Sequence, residues 1–142
     1  MVTDVQRKVL HGIRKNARMG FSTMGRAFNV PVTTIFDNYS RLLESGLVKR
    51  HICVLDFEKL GYFQRAMFIL KSRDRDSLLD FLNSQACVNS ISRVSDADFC
   101  VDCVFPTVKE FYDFRDRLEA LGVDKVEHHE VYGQPKIEDF GL

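Results

Sequence analysis

Gly20-Phe21-Ser22-Thr23-Met24-Gly25-Arg26-Ala27-Phe28-Asn29-Val30-Pro31 decides how the first third of this chain is read. Phe21, Met24 and Phe28 recur at spacings of three and four, which lines one face of a helix opened by Gly20. Asn29-Val30-Pro31 then breaks it, because Asn tolerates a left-handed turn and Pro cannot continue a helix interior. Upstream, Val5, Val9, Leu10 and Ile13 form a helical stripe that stops at Asn16. Downstream, Ile35, Tyr39 and Leu42 line a third helix, with Gly46 placed to end it. Two helices joined by a turn of about four residues, behind a supporting first helix, form a helix-turn-helix pattern.

Beyond Gly46 the period changes from helical to extended. Leu47–Leu55 reads as a strand, and Asp56–Gly61 as a connector. A strand at Gln64–Lys71 precedes a helix near Asp74–Asn83, with Leu78, Leu79 and Leu82 facing inward. Val88–Val94 reads as the next strand, followed by a turn at Ser95–Ala97. In the strand Asp98–Phe105, alternation places Phe99, Val101, Cys103 and Phe105 on one face. Thr107-Val108-Lys109-Glu110 is a capping box, opening a helix whose inner stripe is Phe111, Phe114, Leu118 and Leu121. A last strand covers Val126–Tyr132, and a polar tail runs from Gln134. The order is βαββαβ, the pattern of a ferredoxin-like sandwich. The expected fold class is therefore α+β. A helix-turn-helix, winged-helix-like head occupies residues 1–50, a linker strand and connector 51–62, and a ferredoxin-like assembly domain 63–142.

The length, 142 residues, is that of one domain or two small ones, and 45% apolar with 28% charged residues argues against disorder. The net charge is zero, yet it is unevenly placed. Residues 1–51 carry nine basic and three acidic groups, a net +6, and the remainder carries −6. A basic head on an acidic body points to a polyanionic partner for the head. No apolar run approaches the roughly 20 residues of a membrane helix, so no membrane partner is expected. The opening Met1–Lys8 lacks the apolar core of a signal peptide, which makes the cytoplasm the expected compartment. Four cysteines (Cys53, Cys87, Cys100 and Cys103) are too few for a disulfide framework and read as reduced thiols.

Four blocks of sequence carry a family resemblance. They are Arg7-Lys8-Val9-Leu10, then Asn16-Ala17-Arg18, then Leu42-Leu43-Glu44-Ser45-Gly46-Leu47-Val48-Lys49, and finally Val54-Leu55-Asp56-Phe57-Glu58-Lys59-Leu60-Gly61-Tyr62. Their composition and ungapped spacing resemble the Lrp/AsnC, or feast/famine, regulators over nearly the whole chain. The resemblance implies sequence-specific binding of double-stranded DNA by the head. It also implies homodimers built through the ferredoxin-like domain, and further assembly to octamers. In many such proteins a small molecule, usually an amino acid, binds between dimers. The effector loop of the family reads Gly-x-aromatic-Asp. Here it is Ser95-Asp96-Ala97-Asp98, in which the Asp matches while the Gly and the aromatic are absent. These four residues are the candidate effector site, and no response to a free amino acid is expected from them.

The third helix is the expected reader of the major groove. Its outward positions are Thr33, Thr34, Asp37, Asn38 and Arg41. Thr touches a thymine methyl, Asn matches the two-point edge of adenine, Arg that of guanine, and Asp accepts from a cytosine amino group. Asp37 either reads a cytosine or restrains Arg41 one helical turn later. Arg7, Lys8, Arg18, Arg26, Lys49 and Arg50 are the candidate phosphate contacts, a role that carries no sequence information. The strand residues Phe68, Leu70, Val101 and Cys103 present more apolar surface than two short helices cover, which points to sheet-to-sheet dimerisation.

Other chemistry finds less footing. Cys100 and Cys103 have the spacing of half a zinc site, but three residues along a strand turn them to opposite faces. His128 and His129 are split in the same way, so no metal and no cofactor are expected. Asp96 and Asp98 lack a neighbouring nucleophile, and no glycine-rich phosphate cradle is present, so the chain is not expected to be an enzyme. Two alternatives stay open. One is an assembly module that binds DNA weakly, because Arg41 is the only cation near the reading positions, and acts through a protein partner. The other is an enzyme like the sirohaem decarboxylases, which resemble Lrp/AsnC proteins; against it, Asn89-Ser90-Ile91-Ser92-Arg93 holds neither His nor Tyr.

Overall fold

The structure is a computed structural model and describes residues 2–137. Its elements follow in the order α1 (Asp4–Lys15), α2 (Phe21–Phe28), α3 (Val32–Glu44), β1 (Gln64–Lys71), α4 (Arg75–Ser84), β2 (Val88–Arg93), β3 (Phe99–Phe105), α5 (Val108–Ala120) and β4 (Lys125–Glu130). The described residues divide into two compact units between Val54 and Leu55. The last five residues of the expected tail, 138–142, lie outside the described residues.

In the first unit, Thr3 opens α1 by a reciprocal capping box: its hydroxyl accepts from the Gln6 N–H, and the Gln6 side chain accepts from the Thr3 N–H. Both exchanges satisfy N–H groups that the first helical turn leaves without partners. Asn29 adopts φ 53° at the end of α2, the left-handed conformation that its short polar side chain tolerates. The Val30 N–H then returns to the Gly25 carbonyl at 3.0 Å and closes the turn before α3. Gly25 has to be glycine here, because a Cβ would lie 2.9 Å from the Val30 carbonyl oxygen. Val9, Leu10, Ile13, Met24, Ile35 and Leu42 form the buried core, with Phe21, Phe28 and Tyr39 packed at its margins.

The second unit is a four-stranded antiparallel sheet in the order β2-β3-β1-β4. One face is covered by α4 and α5. The register sets Ala66 opposite Cys103, Phe68 opposite Val101 and Leu70 opposite Phe99, so these side chains share the covered face with Phe105. Leu78 and Leu82 from α4, and Phe111, Phe114 and Leu118 from α5, complete the core. The Thr107–Glu110 capping box forms as the sequence predicts. Asp74 caps α4 by accepting from the Ser77 N–H and hydroxyl, which holds its carboxyl below the usual carboxylate range.

Three expectations need correction. The strand over Leu47–Leu55 does not form. A strand requires a neighbouring edge for its N–H and C=O groups, and Ile52, Val54 and Leu55 stand exposed with no ladder beside them. Leu121 is not part of the inner stripe of α5: the helix ends at Ala120, and Leu121 is half exposed as its cap. Phe68, Leu70, Val101 and Cys103 do not form an uncovered face. All four are fully buried beneath the helices of their own chain, because α5 brings two phenylalanines onto them. The opposite face of the sheet is the open one, with Met67 exposed and Ile69 and Cys100 half-buried.

Candidate nucleic-acid interface

The surface of α3 follows from the packing of its inner face. Ile35 and Leu42 are buried, and Tyr39 packs beside Phe21 with ring centroids 5.1 Å apart. The turns between them carry Thr33, Asp37 and Arg41 into solvent, while Thr34 and Asn38 are half-buried. The five candidate base-contacting residues therefore fall into two groups. Thr33, Asp37 and Arg41 are free to meet a groove. Asn38 donates its Nδ2 to the Thr34 carbonyl at 2.8 Å, so reading adenine requires it to release its own helix. Asp37 and Arg41 lie one helical turn apart with both side chains exposed, and no ion pair joins them among the described residues.

Two apolar groups on the same helix extend the set read from the sequence. Val32 and Phe36 are about half exposed, one helical turn apart, and the Phe36 ring stands edge-on to Phe21 at 5.7 Å. Their signal is present in the sequence: neither falls on the Ile35–Tyr39–Leu42 stripe, so both are apolar surface on the outer side of α3.

Arg7, Arg18, Arg26, Lys49 and Arg50 are exposed. Lys8 is already engaged, forming an ion pair with Asp4 at 3.0 Å one turn earlier on α1. Lys49 and Arg50 border an open cavity of about 420 Å³, whose apolar side includes Leu10, Ile13 and Val48. Arg14 and Lys15, which the sequence reading does not include among the phosphate contacts, line the same cavity. Their outward placement at the C-terminal turn of α1 is readable from its stripe. His51 stacks on Tyr39 and shares a hydrogen bond with its hydroxyl at 3.1 Å, holding the segment after α3 against the head.

No protein-family model matches the chain. An uncharacterized HTH-type transcriptional regulator of Pyrococcus furiosus is 27% identical, in an alignment covering 99% of this chain and 97% of that one. Among solved structures, E. coli AsnC superposes with a TM-score of 0.86 at 15% identity, covering 100% of this chain and 99% of that one. B. subtilis LrpC gives 0.87 at 12% identity, covering 96% and 98%. A Neisseria meningitidis transcriptional regulator, solved in complex with L-Met, gives 0.87 at 16% identity, covering 100% and 96%. The chain has the Lrp/AsnC fold.

Within that fold the candidate effector loop is partly closed by its own chain. Asp98 is buried, accepting from the Ser72 N–H at 2.7 Å and pairing with Arg75. Ser95, Ala97 and Asp98 line an open cavity of about 400 Å³ together with Arg75 and Arg93, while Asp96 does not line it. The carboxylate that matches the Lrp/AsnC loop thus ties the end of β1 to the start of α4. On the open face of the sheet, Asp102 accepts two hydrogen bonds from Arg65, at 2.8 and 2.7 Å, and one from Asn89 at 2.7 Å. This fully partnered carboxylate is the other buried acid of the unit.

No helix among the described residues is long and apolar enough to cross a membrane. Cys100 and Cys103 lie on opposite faces of β3, as alternation requires. His128 packs its ring against Phe68 and Phe111, and His129 bonds to Glu127 at 3.1 Å.

Proposed function

We propose that the protein is a sequence-specific, DNA-binding transcriptional regulator of the Lrp/AsnC type, not an enzyme, acting as a homodimer or larger assembly. The observation that carries this reading is the exposed face of α3, set on a closed helix-turn-helix within a basic head. Thr33, Asp37 and Arg41 read base edges, Val32 and Phe36 meet thymine methyls, and Asn38 joins them after leaving the Thr34 carbonyl. Arg7, Arg18, Arg26, Lys49 and Arg50 contact phosphates, with Arg14 and Lys15 beside them. Lys8 contributes once Asp4 releases it. The similarity to HTH-type regulators along almost the whole chain supports the same reading.

A dimer presents two α3 helices, so the target is a palindrome with half-sites about one helical turn apart, or a multiple of that. The open face of the sheet, with its fully partnered Arg65–Asp102–Asn89 cluster, is the surface available for pairing. Asp98 being held by Ser72 and Arg75 argues against capture of a free amino acid in the loop. Selection of random duplex DNA on the purified protein tests the proposal. An enriched palindrome is expected, and Arg41→Ala should relax one position within it. Absence of binding even at low salt would turn the reading toward the assembly-module alternative, in which the exposed α3 face serves a protein partner.

A further inference from the structure

Cys87 is the half-buried residue that leads into β2, and Cys103 is fully buried in the middle of β3. The ladder brings them together. Cys103 is the direct partner of Val88, and the preceding residue, Cys87, receives the Val104 N–H on its carbonyl at 2.8 Å. Cys87 sits in the turn before the strand, which the Val88 N–H closes onto the Gln85 carbonyl at 3.2 Å. Cys87 packs against the buried cluster that holds Cys103, and each thiol shifts the ionisation of the other. Cys103 thus has Cys87 as its sulfur neighbour, while Cys100, closer in sequence, points to the other face.

Solvent reaches this pair from one side. Cys87 lines an open cavity of about 330 Å³ with Gln85, Val104, Glu110 and Arg117. Arg117 is held at its rim by a hydrogen bond to the Gln85 side chain at 2.8 Å. The hydrogen bond from Cys103 and the nearby Arg117 charge lower the pKa of Cys87, outweighing its burial and the Glu110 carboxylate. Cys103 is pushed the other way by that hydrogen bond and by burial, with the Asp102 charge adding to it, and so keeps its proton. The result is an accessible thiol inclined to ionise beside a protonated one.

We propose that Cys87 and Cys103 form a reversible intrachain dithiol–disulfide site, at which Cys87 is attacked first by a hydroperoxide and Cys103 resolves it. The Cys87 thiolate attacks one peroxide oxygen, the O–O bond breaks, and the departing hydroxide takes up a proton to leave as water. Cys87 is then a sulfenic acid. The Cys103 sulfur displaces its hydroxyl group, the S–O bond breaks as the S–S bond forms, and that hydroxide leaves as a second water with the Cys103 proton. One hydrogen peroxide is reduced to two waters while two thiols are oxidised. A dithiol reductant reverses the step by exchange.

The test uses the full chain carrying Cys53→Ser and Cys100→Ser, so that only this pair remains. After hydrogen peroxide, intact mass should fall by two hydrogens, and a non-reducing peptide map should contain the Cys87–Cys103 link. Iodoacetamide labelling of both thiols should be lost and return with dithiothreitol. With Cys103→Ala added, dimedone should trap a sulfenic acid on Cys87; with Cys87→Ser, Cys103 should remain a thiol. In untreated protein, alkylation of Cys87 should persist to lower pH than that of an ordinary cysteine, which ionises near pH ~8.5. Peroxide that leaves both thiols titratable, or that oxidises Cys87 without linking it while Cys103 is present, overturns the proposal. The linkage is read on the parent protein, so poor folding of either added variant does not rescue it.

Discussion

The head and the sheet unit exclude water by different means. The head closes around aliphatic side chains and one methionine, with its rings at the margins and Phe36 turned outward. The sheet unit closes around rings. Phe114 lies 5.3 Å from Phe68 and 5.6 Å from Phe105, and Phe111 lies 5.6 Å from Phe68 and 5.7 Å from Phe105. Large, stiff side chains bury much area at a modest cost in rotamer entropy, which suits a unit whose task is to hold a shape. A three-helix unit with a thinner core can leave most of one helix face uncommitted, and α3 is that helix. The charge follows the same division, with the positive excess lying in the part that exposes α3.

Salt should break the symmetry between the units most strongly. If the head binds duplex DNA through its exposed cations, affinity should fall roughly a thousandfold or more between about 50 and 200 mM salt for a dimer that neutralises about six or more phosphates. Lys49→Ala should lower the slope of log affinity against log salt by about one unit for each phosphate that the lysine neutralises. Fluorescence anisotropy of a labelled duplex measures both. A salt-independent complex would mean that the charge division has no bearing on DNA.

Phe114→Ala tests the aromatic core next. It should cost about 3–5 kcal/mol in the sheet unit, because the cavity opens among rings that cannot collapse fully into it. Hydrogen exchange should accelerate along β1 and β3 and leave α1–α3 at their former rates. Uniform acceleration through the head would show that the two units unfold as one.

Gly25→Ala should act on the other unit alone, at about 1–3 kcal/mol, because the new methyl meets the backbone oxygen of Val30 across the turn. Exchange should quicken at α2 and α3, and DNA affinity should fall as α3 loses its mounting. The smallest effect sharpens the comparison with matched chemistry. Thr3→Ala and Thr107→Ala each remove one capping box and should each cost about 1 kcal/mol, one confined to the head and the other to the sheet unit. Denaturant titration followed by exchange at α1 and α5 separates the two.

Local periodicity and turn chemistry determined most of the architecture. The helices and the four strands of the sheet were legible from stripes and their boundaries: the Val5–Ile13 stripe stopping at Asn16, the break at Asn29, Thr107 as a cap, and alternation along β3, whereas the Thr3 cap appeared only in the structure. The Leu47–Leu55 segment was misread because strand propensity says nothing about whether an edge is available for pairing. The outward residues of α3 were legible as a set, yet which of them stand free was not. The Asn38 side chain is claimed by the Thr34 carbonyl, and Val32 and Phe36, off the inner stripe in the sequence, are seen to be half exposed only once Phe21 and Tyr39 have packed. The same limit governs the acids and thiols. Asp98 turned inward to Ser72 and Arg75, and Cys103 came to lie opposite Val88, next to Cys87, because sheet register joins residues far apart in sequence and neighbour spacing cannot encode that choice.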